Sequence, residues 1–367
     1  MQDIGRSKRA EKAHSFDDIA IVPSRRTRDN RDVDLSWRID AVTLDFPIIA
    51  APMDSCVSPA TAVEMGRLGG LGVLNLEGLW TRYDDPAPVF EELASIEDAV
   101  DATRRLQQVY AEPIKEDLIT RRLAELRASG QWVAGSLSPK NVLQFGHVVE
   151  KAAPDFFVIR GTLVSAEHVS TTGRPLDLKQ FIRTLDVPVI VGGCANYHTA
   201  LHLMRAGAAG VLVGFGGVTR PATLAVLGIG IPMATALSDV AEARRDYLDE
   251  SGGRYVHVIA DGSLAGSGEI AKALACGADA VMIGTPLARA TEAPGQGYHW
   301  GAEAWHRDLP RGQRPHLRSV GSLEQILLGP SDRADGSMNL VGALRQTLAS
   351  TGYTDVKAFQ RAELVLL

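Results

Sequence analysis

YVHVIADGSLAGSGEIAKALACGADAVMIGT, residues 255–285, contains two strand patterns joined by a glycine-rich turn and a helical pattern. The first predicted strand ends at Asp261-Gly262, and the second ends at Gly284-Thr285. Neighbouring parallel strands end at the same edge, so backbone N–H groups, a carboxylate and a hydroxyl should meet there. We interpret this edge as a phosphate site in which Asp261 accepts hydrogen bonds from ribose hydroxyls. The alternative is an Asp N-cap with glycines for close packing.

Six further strand patterns precede this region, and most are short continuous apolar runs. Such runs are typical of parallel strands that are buried on both faces. Helical patterns such as 58–67 and 198–206 lie between several of them, which indicates right-handed crossovers. The count predicts an α/β fold, a TIM (β/α)8 barrel, rather than an open doubly wound sheet. The eight predicted strands are 47–52, 70–76, 132–137, 156–160, 187–193, 210–215, 255–260 and 280–284.

The domain organisation follows from the segments outside the barrel pattern. We predict one barrel domain over 1–367, because α/β barrels routinely take this length. The lead-in contains a possible edge strand through Val33 and Leu35, whereas the long loop 286–338 has weak periodicity, and loops of that length are often lids. The predicted segments are an N-terminal lead-in (1–46), a helical insert (83–129), a lid or flap rich in Gly, Pro and aromatics (286–338), and C-terminal helices (339–367).

Composition excludes several classes of function. The net charge of -6 gives no electrostatic footprint for nucleic acid. No apolar run reaches the roughly 20 residues needed to span a bilayer, and the N-terminal residues lack an apolar signal core. We therefore expect a cytoplasmic protein without a membrane partner. The three cysteines are too few and too scattered for a disulfide framework or a zinc site, so no metal is predicted.

The glycine-rich sequence after the sixth predicted strand is a second candidate for chemistry. Gly214-Phe215-Gly216-Gly217 lacks the glycine spacing of a dinucleotide-binding fingerprint. A flexible loop and a tight turn are equally good interpretations of these glycines. Cys194 follows the fifth predicted strand on the same edge, where a buried small apolar residue is favoured over a nucleophile.

Four blocks of the chain resemble the IMP dehydrogenase/GMP reductase family. They are FDDIAIVP from 16, IIAAPMDS from 48 with GGLGVLNL from 69, VLVGFGG from 211 to LGIGIPMATA from 227, and IADGSLAGSGEIAKALACGADAVMIGTPLA from 259. The insert is too short and too helical to hold the regulatory CBS modules of many members. The chain is most similar to the CBS-less bacterial branch, whose C-terminal blocks GYHWG, LPRG, LEQILLGPS and NLVGAL begin here at 297, 309, 323 and 339.

The resemblance implies a (β/α)8 barrel, usually a homotetramer, that binds a purine mononucleotide (IMP, XMP or GMP). It implies NAD or NADP as the cofactor and allows a monovalent cation as an additional ligand. The loop 214–223 would face the purine C2 atom. By position, the implied nucleotide-binding residues are Asp261 on the ribose, Gly262, Gly284, Thr285 and Tyr298 around the phosphate, and Met53 and Met282 against the nucleotide.

The chain departs from the family in the loop that carries the reacting group. Hydride leaves the purine C2 atom only after a nucleophile has added to it, and the family uses a cysteine there. This loop has Pro221 at that position and contains no cysteine. Cys194 occupies a position where the family usually has an asparagine. Arg160 occupies a position where the family usually has a cofactor-binding aspartate. The catalytic candidates that remain are loop residues Gly214, Gly216, Gly217, Pro221 and Thr223, with Cys194 as a relocated nucleophile.

These observations leave four hypotheses for the function. Family likeness favours an oxidoreductase of the IMP dehydrogenase type, which converts IMP to XMP with NAD in guanine nucleotide biosynthesis. The missing CBS modules fit a GMP reductase. The missing thiol favours a nucleotide-binding paralogue with weak or no turnover. A flavin-phosphate barrel oxidoreductase is the fourth, because similar APM and GGLGV segments occur in that class.

Overall fold

The computed structural model describes residues 2–171, 173, 175–216 and 222–367. Its strands, in chain order, are β1 (Gln2–Gly5), β2 (Lys8–Ala10), β3 (Ile19–Ile21), β4 (Trp37–Ile39), β5 (Val42–Leu44), β6 (Ile48–Ala50), β7 (Leu71–Asn75), β8 (Ala134–Leu137), β9 (Phe156–Arg160), β10 (Val189–Cys194), β11 (Gly210–Val213), β12 (His257–Asp261), β13 (Ala280–Ile283) and β14 (Leu364–Leu366).

The α-helices alternate with the barrel strands and fill the predicted insert. They are α1 (Pro59–Arg67), α2 (Ala87–Ser95), α3 (Ala99–Val109), α4 (Glu116–Ala128), α5 (Pro139–Ala152), α6 (Leu178–Ile182), α7 (Tyr197–Ala206), α8 (Ala222–Leu227), α9 (Met233–Glu250), α10 (Ser267–Ala275), α11 (Ala302–Trp305), α12 (Leu323–Leu328), α13 (Leu340–Ser350) and α14 (Val356–Phe359). Within the described ranges, none is long and apolar enough to cross a membrane.

The strands β6 to β13 form one closed barrel, in which β13 pairs with β6. Every barrel pair is parallel, for example Ile49 opposite Leu71 and Ile259 opposite Ala280. The predicted (β/α)8 barrel is therefore confirmed, and each of the eight predicted strands is present. The residues of β10 are all buried, as its continuous apolar sequence indicated, because helices cover one face and the barrel interior covers the other.

The helix boundaries follow from local chemistry at their ends. Ser58 caps α1 in a capping box with Thr61, and Pro59 occupies the first turn, where its missing N–H costs nothing. Asn196 accepts from the Thr199 N–H at the start of α7. Gly207 ends that helix at φ 110°, a conformation that only glycine adopts readily.

Three small antiparallel pairs were not predicted. They are the hairpins β1–β2 and β4–β5 and the pair β3–β14, which joins the two ends of the chain. Most of these strands are three residues long, too short for an alternating pattern to stand out. The segment 339–367 consequently holds β14 as well as the helices α13 and α14. The β4–β5 hairpin lies at the N-terminal end of the barrel, where Trp37 Nε1 donates to His257 Nδ1 at 3.2 Å.

A buried ion pair lies at the N-terminal end of the barrel strands. Arg244 of α9 donates to Asp279 at 2.7 Å, and their side chains are only 8% and 7% exposed. Tyr255 and the Val258 N–H donate to the same carboxylate, at 2.6 and 2.8 Å. Burial alone would raise the pKa of Asp279, but the Arg244 charge and the hydrogen bonds from Tyr255 and Val258 together hold that pKa below its usual range.

Removal of this carboxylate should strongly destabilise the barrel. We expect Asp279→Ala to lower the free energy of unfolding by about 3–5 kcal/mol, because Arg244 remains buried without its partner. Urea denaturation followed by circular dichroism measures the change.

Asp249→Ala is the matched control, since Asp249 is exposed near the C-terminal end of the same helix α9. It should change stability by less than about 0.5 kcal/mol. Equal effects of the two substitutions would contradict a stabilising role for the buried pair.

Candidate functional site

The larger of two adjoining cavities opens at the carboxyl ends of the barrel strands. Its volume is about 500 Å³, and the turns that follow β11, β12 and β13 form part of its wall. Barrel closure brings these turns together although they are separated in sequence. Six of the seven predicted nucleotide-binding residues line this cavity: Met53, Asp261, Gly262, Met282, Gly284 and Thr285.

Two glycines of this wall lie where a side chain would not fit. Gly262 has φ 114°, and a Cβ there would lie 3.1 Å from the Gly216 carbonyl oxygen. A Cβ on Gly284 would lie 2.8 Å from the Met53 Sδ atom. The absence of a side chain at both turns lets a ligand approach the backbone closely.

The N-terminus of α10 is less suited to an anion than the sequence indicated. The Ser267 N–H, in the first turn, donates to the Gly336 carbonyl oxygen at 2.9 Å. Glu269, also in the first turn, lines the larger cavity and brings a negative charge. The Gly284–Thr285 turn, by contrast, has no acidic neighbour in sequence.

Asp261 forms a two-pronged ion pair with Arg160. The Arg160 Nε and Nη2 atoms donate to the two carboxylate oxygens at 2.9 and 3.3 Å. The two side chains are 17% and 5% exposed. Burial alone would lower the pKa of Arg160, but the charge and hydrogen bonding of Asp261, together with the Glu303 charge, raise it. The carboxylate predicted to bind ribose is thus already partnered by a cation from β9.

The loop after β11 packs against this ion pair. A Cβ on Gly214 would lie 2.2 Å from the Asp261 carbonyl oxygen, and one on Gly216 would lie 2.4 Å from Arg160 Nη2. Both glycines line the larger cavity. Thr223 lies in α8 with 2% of its surface exposed. Gly217 and Pro221, the other loop candidates, lie outside the described residues.

None of the three cysteines offers a reactive thiol. Cys194 is completely buried, and its Sγ atom lies 3.4 Å from the Leu212 carbonyl oxygen. Burial raises the pKa of Cys194 to about 12. Burial and the Asp54 charge raise the pKa of Cys56 to about 12, and burial raises that of Cys276 to about 11. Because thiolate is the nucleophilic form, these groups are inert at neutral pH.

Tyr298, the seventh predicted nucleotide-binding residue, does not line either cavity. Its ring lies under the Arg314 guanidinium at 3.8 Å and meets the His316 ring edge-on. The next residue, His299, is completely buried and bonds to Ser55 Oγ at 2.8 Å. Its Cε1 atom would lie 3.5 Å from a Cβ on Gly284, so His299 packs behind the turn where Tyr298 was expected.

A smaller cavity adjoins the larger one, and Met53, Arg160 and Phe215 line both. Its wall includes Asp54, which is 2% exposed. Burial raises the pKa of Asp54 to about 6, against hydrogen bonds that lower it. The sequence analysis did not identify this second cavity.

Asp54 is the centre of a hydrogen-bonded cluster from three distant segments. Its Oδ2 atom accepts from the Tyr110 hydroxyl at 2.5 Å, and Trp300 Nε1 donates to that hydroxyl at 2.9 Å. The Trp305 ring stacks on Tyr110 with centroids 4.4 Å apart. The insert and the predicted lid therefore meet over a buried carboxylate. The only sequence signals were an aspartate directly after APM and the tryptophan of GYHWG.

No group of three or more His, Cys, Asp or Glu side chains in the described part of the chain could hold a metal ion. Carboxylate, guanidinium, aromatic and backbone groups supply the chemistry of the two cavities. Such a set binds and orients a ligand through hydrogen bonds, charge and stacking.

Comparison with known proteins agrees with this architecture. The model of the IMP dehydrogenase / GMP reductase domain matches residues 13–307. A protein named uncharacterized oxidoreductase from Mycolicibacterium smegmatis is 50% identical, and the alignment covers 100% of both chains. An inosine-5'-monophosphate dehydrogenase from Thermoplasma acidophilum is 26% identical over 87% of this chain and 79% of its own.

A solved structure shows the same similarity in three dimensions. The crystal structure of an IMP dehydrogenase/GMP reductase-like protein from Corynebacterium glutamicum superposes with a TM-score of 0.95. It is 49% identical, and the match covers 100% of this chain and 97% of that one. The chain is thus an oxidoreductase that belongs to the IMP dehydrogenase/GMP reductase family.

Proposed function

We propose that the protein binds a purine mononucleotide in the larger cavity and acts as an oxidoreductase of the IMP dehydrogenase type, with IMP as substrate, XMP as product and NAD as hydride acceptor. One observation carries the proposal: six residues expected from the family resemblance to contact the nucleotide line one cavity. The cavity volume of about 500 Å³ lies in the range of small-molecule sites.

The cavity gives the nucleotide a defined orientation. The phosphate lies at the Gly284–Thr285 turn, where the glycine backbone can approach it. The ribose lies beside Asp261, and the base extends toward Arg160 and the loop after β11. A carboxylate offers about four lone-pair positions, and Arg160 occupies one on each oxygen of Asp261. Asp261 can therefore accept a ribose hydroxyl while it keeps its ion pair.

The chemical step cannot use the family's thiol in this chain. Addition to the purine C2 atom needs a nucleophile, and all three thiols are buried or strongly protonated. Water is the remaining nucleophile for an IMP-to-XMP reaction, because the oxygen gained at C2 comes from water in the overall equation. Uncatalysed addition is slow, so we expect turnover well below that of a thiol-dependent enzyme.

The burial of all three thiols also supports a second candidate function, a nucleotide-binding protein with no turnover. Such a protein would keep the proposed phosphate and ribose positions and lack the group that reacts with the base. GMP reduction would need the missing thiol as well, so no feature of the site favours it over IMP oxidation.

Nucleotide binding depends on the open space at Gly284. We expect IMP to raise the melting temperature of the protein. Gly284→Ala should weaken IMP binding about tenfold, because the added Cβ would lie 2.8 Å from Met53 Sδ. The Met53 side chain would then have to move, and the methyl group would narrow the turn that receives the phosphate. Thermal-shift titration with IMP, XMP and GMP measures both effects.

Gly268→Ala is the matched control, since a Cβ on Gly268 meets no atom within 4 Å. Its affinity for IMP should equal that of the unmodified protein. No thermal shift with any of the three nucleotides would contradict the proposed function.

Turnover should not depend on Cys194. In Cys194→Ala, we expect the rate of NADH formation from IMP and NAD to stay within about twofold of the rate of the unmodified protein. A thiol with a pKa of about 12 supplies almost no thiolate at neutral pH. The absorbance of NADH follows the reaction. A large loss of rate with unchanged IMP affinity would make Cys194 the nucleophile, and IMP binding without NADH formation would favour the second candidate function.

A further inference from the structure

A third cavity opens at the N-terminal end of the barrel strands, and we call it the remote cavity. Its volume is about 360 Å³, which lies in the range of small-molecule sites. Its wall combines α6, the C-terminal end of α7, the segments that lead into β10, β11 and β12, and Asp40 of the turn between β4 and β5. The remote cavity is thus a concave surface built by several elements of the barrel.

The remote cavity is separate from the site at the other end of the barrel. Val189, the first residue of β10, lines it, whereas the larger cavity is bounded by turns that follow β11, β12 and β13. A six-residue strand such as β10 spans about 20 Å. No residue in the described ranges lines the remote cavity together with either of the other two. A ligand here would therefore not compete with one at the strand ends.

Cationic side chains outnumber carboxylates on the wall of the remote cavity. The carboxylates are Asp40 and Asp186, and both are exposed. Neither forms an ion pair within the described ranges, so they do not neutralise the cations around them. The cations are Lys179, Arg183, Arg205 and Arg254.

Two of the four cations have structural partners. Arg205 Nε donates to Glu250 Oε1 at 2.9 Å, and Glu250 does not line the cavity. Arg254 Nη2 donates to the Gly207 carbonyl oxygen at 2.6 Å and so satisfies the end of α7. These contacts explain why arginines occur at residues 205 and 254 without any ligand.

The other two cations, Lys179 and Arg183, are not explained in this way. In the described part of the chain, neither side chain makes a hydrogen bond or an ion pair. Lys179 lies in the last turn of α6, where a cation also stabilises the helix dipole. Arg183 follows that helix, is exposed, and presents a planar guanidinium with five N–H donors. Arg183 is therefore the residue most available to an anion.

Apolar side chains lie beside these cations. Ile182, Leu185, Val187 and Pro188 line the cavity, and all four are half-buried. A ligand that covered them would remove apolar surface from water, which is favourable. The wall thus offers a charged region and an apolar region to one ligand.

We propose that the remote cavity binds a small molecule with a phosphate group and an apolar body. The phosphate accepts paired hydrogen bonds from the Arg183 guanidinium, a geometry that arginine and phosphate share, and it lies within the field of Lys179. The apolar body packs on Ile182, Leu185 and Val187. The proposal does not depend on the proposed function, because it concerns the opposite end of the barrel.

Three small probes test the two parts of the ligand. We expect phenyl phosphate to bind the full chain, and to bind severalfold more tightly than inorganic phosphate, because the ring adds apolar contact. Phenol, which lacks the phosphate, should not bind measurably. Isothermal titration calorimetry measures the three affinities.

Arg183→Gln should weaken phenyl phosphate binding about tenfold, because charge-assisted hydrogen bonds to the phosphate are lost. Lys151→Gln is the matched control: Lys151 is exposed in the last turn of α5 and lines none of the three cavities. The control should keep the affinity of the unmodified protein. Melting temperatures of both variants confirm folding.

Gly284→Ala distinguishes the remote cavity from the larger one. Phenyl phosphate binding that survives in Gly284→Ala and weakens in Arg183→Gln supports the proposal. The reverse pattern would assign the phosphate to the larger cavity and overturn the proposal. No binding of phenyl phosphate, or an equal loss in Arg183→Gln and Lys151→Gln, would also overturn it. Equal affinities for phenyl and inorganic phosphate would overturn the organic ligand. The thermal shift with IMP is read separately and tests only the proposed function.

Discussion

The ion pair between Arg160 and Asp261 is the constraint on which the rest of the site depends. It joins the ends of β9 and β12, two strands that are not neighbours in the barrel, at 2.9 Å. A buried carboxylate without this partner would be strongly disfavoured, and a buried guanidinium would be equally so. The pair also packs closely against Gly216, where a Cβ would lie 2.4 Å from Arg160 Nη2. Arg160 lines both cavities, so this ion pair lies at the boundary between them.

A second buried carboxylate connects the barrel to the segments that cover it. Asp54 follows β6, yet it receives a hydrogen bond from Tyr110 of the insert, which in turn receives one from Trp300 of the lid segment. Burial disfavours the charged form of Asp54, and these donors offset that cost only in part, because its pKa stays raised at about 6. The insert and the lid thus have a defined position over the smaller cavity. Among the described residues, no group donates a hydrogen bond to the Oδ1 atom of Asp54.

The barrel could be predicted from the sequence because its strands are apolar on both faces, and short buried runs between helices have few other interpretations. The binding cavity could be predicted in part, since Asp261, Gly262 and Gly284 stand at strand ends that closure must bring together. The partner of Asp261 could not, because nothing in the local sequence of Arg160 specifies which strand end it reaches. The same holds for Tyr298: the family resemblance implied a place for it at the phosphate, but side-chain packing puts its ring under Arg314 and His299 behind the turn.

The electrostatics of the two cavities explain why a missing thiol and an acidic wall occur together. A reactive cysteine needs electropositive surroundings that stabilise its thiolate. Here the nearest cation, Arg160, is neutralised by Asp261, and three carboxylates line the adjoining cavity. Cys56 illustrates the result: burial and the Asp54 charge both raise the pKa of its thiol, to about 12. The acidic side chains at this end of the barrel therefore disfavour a thiolate rather than stabilise one.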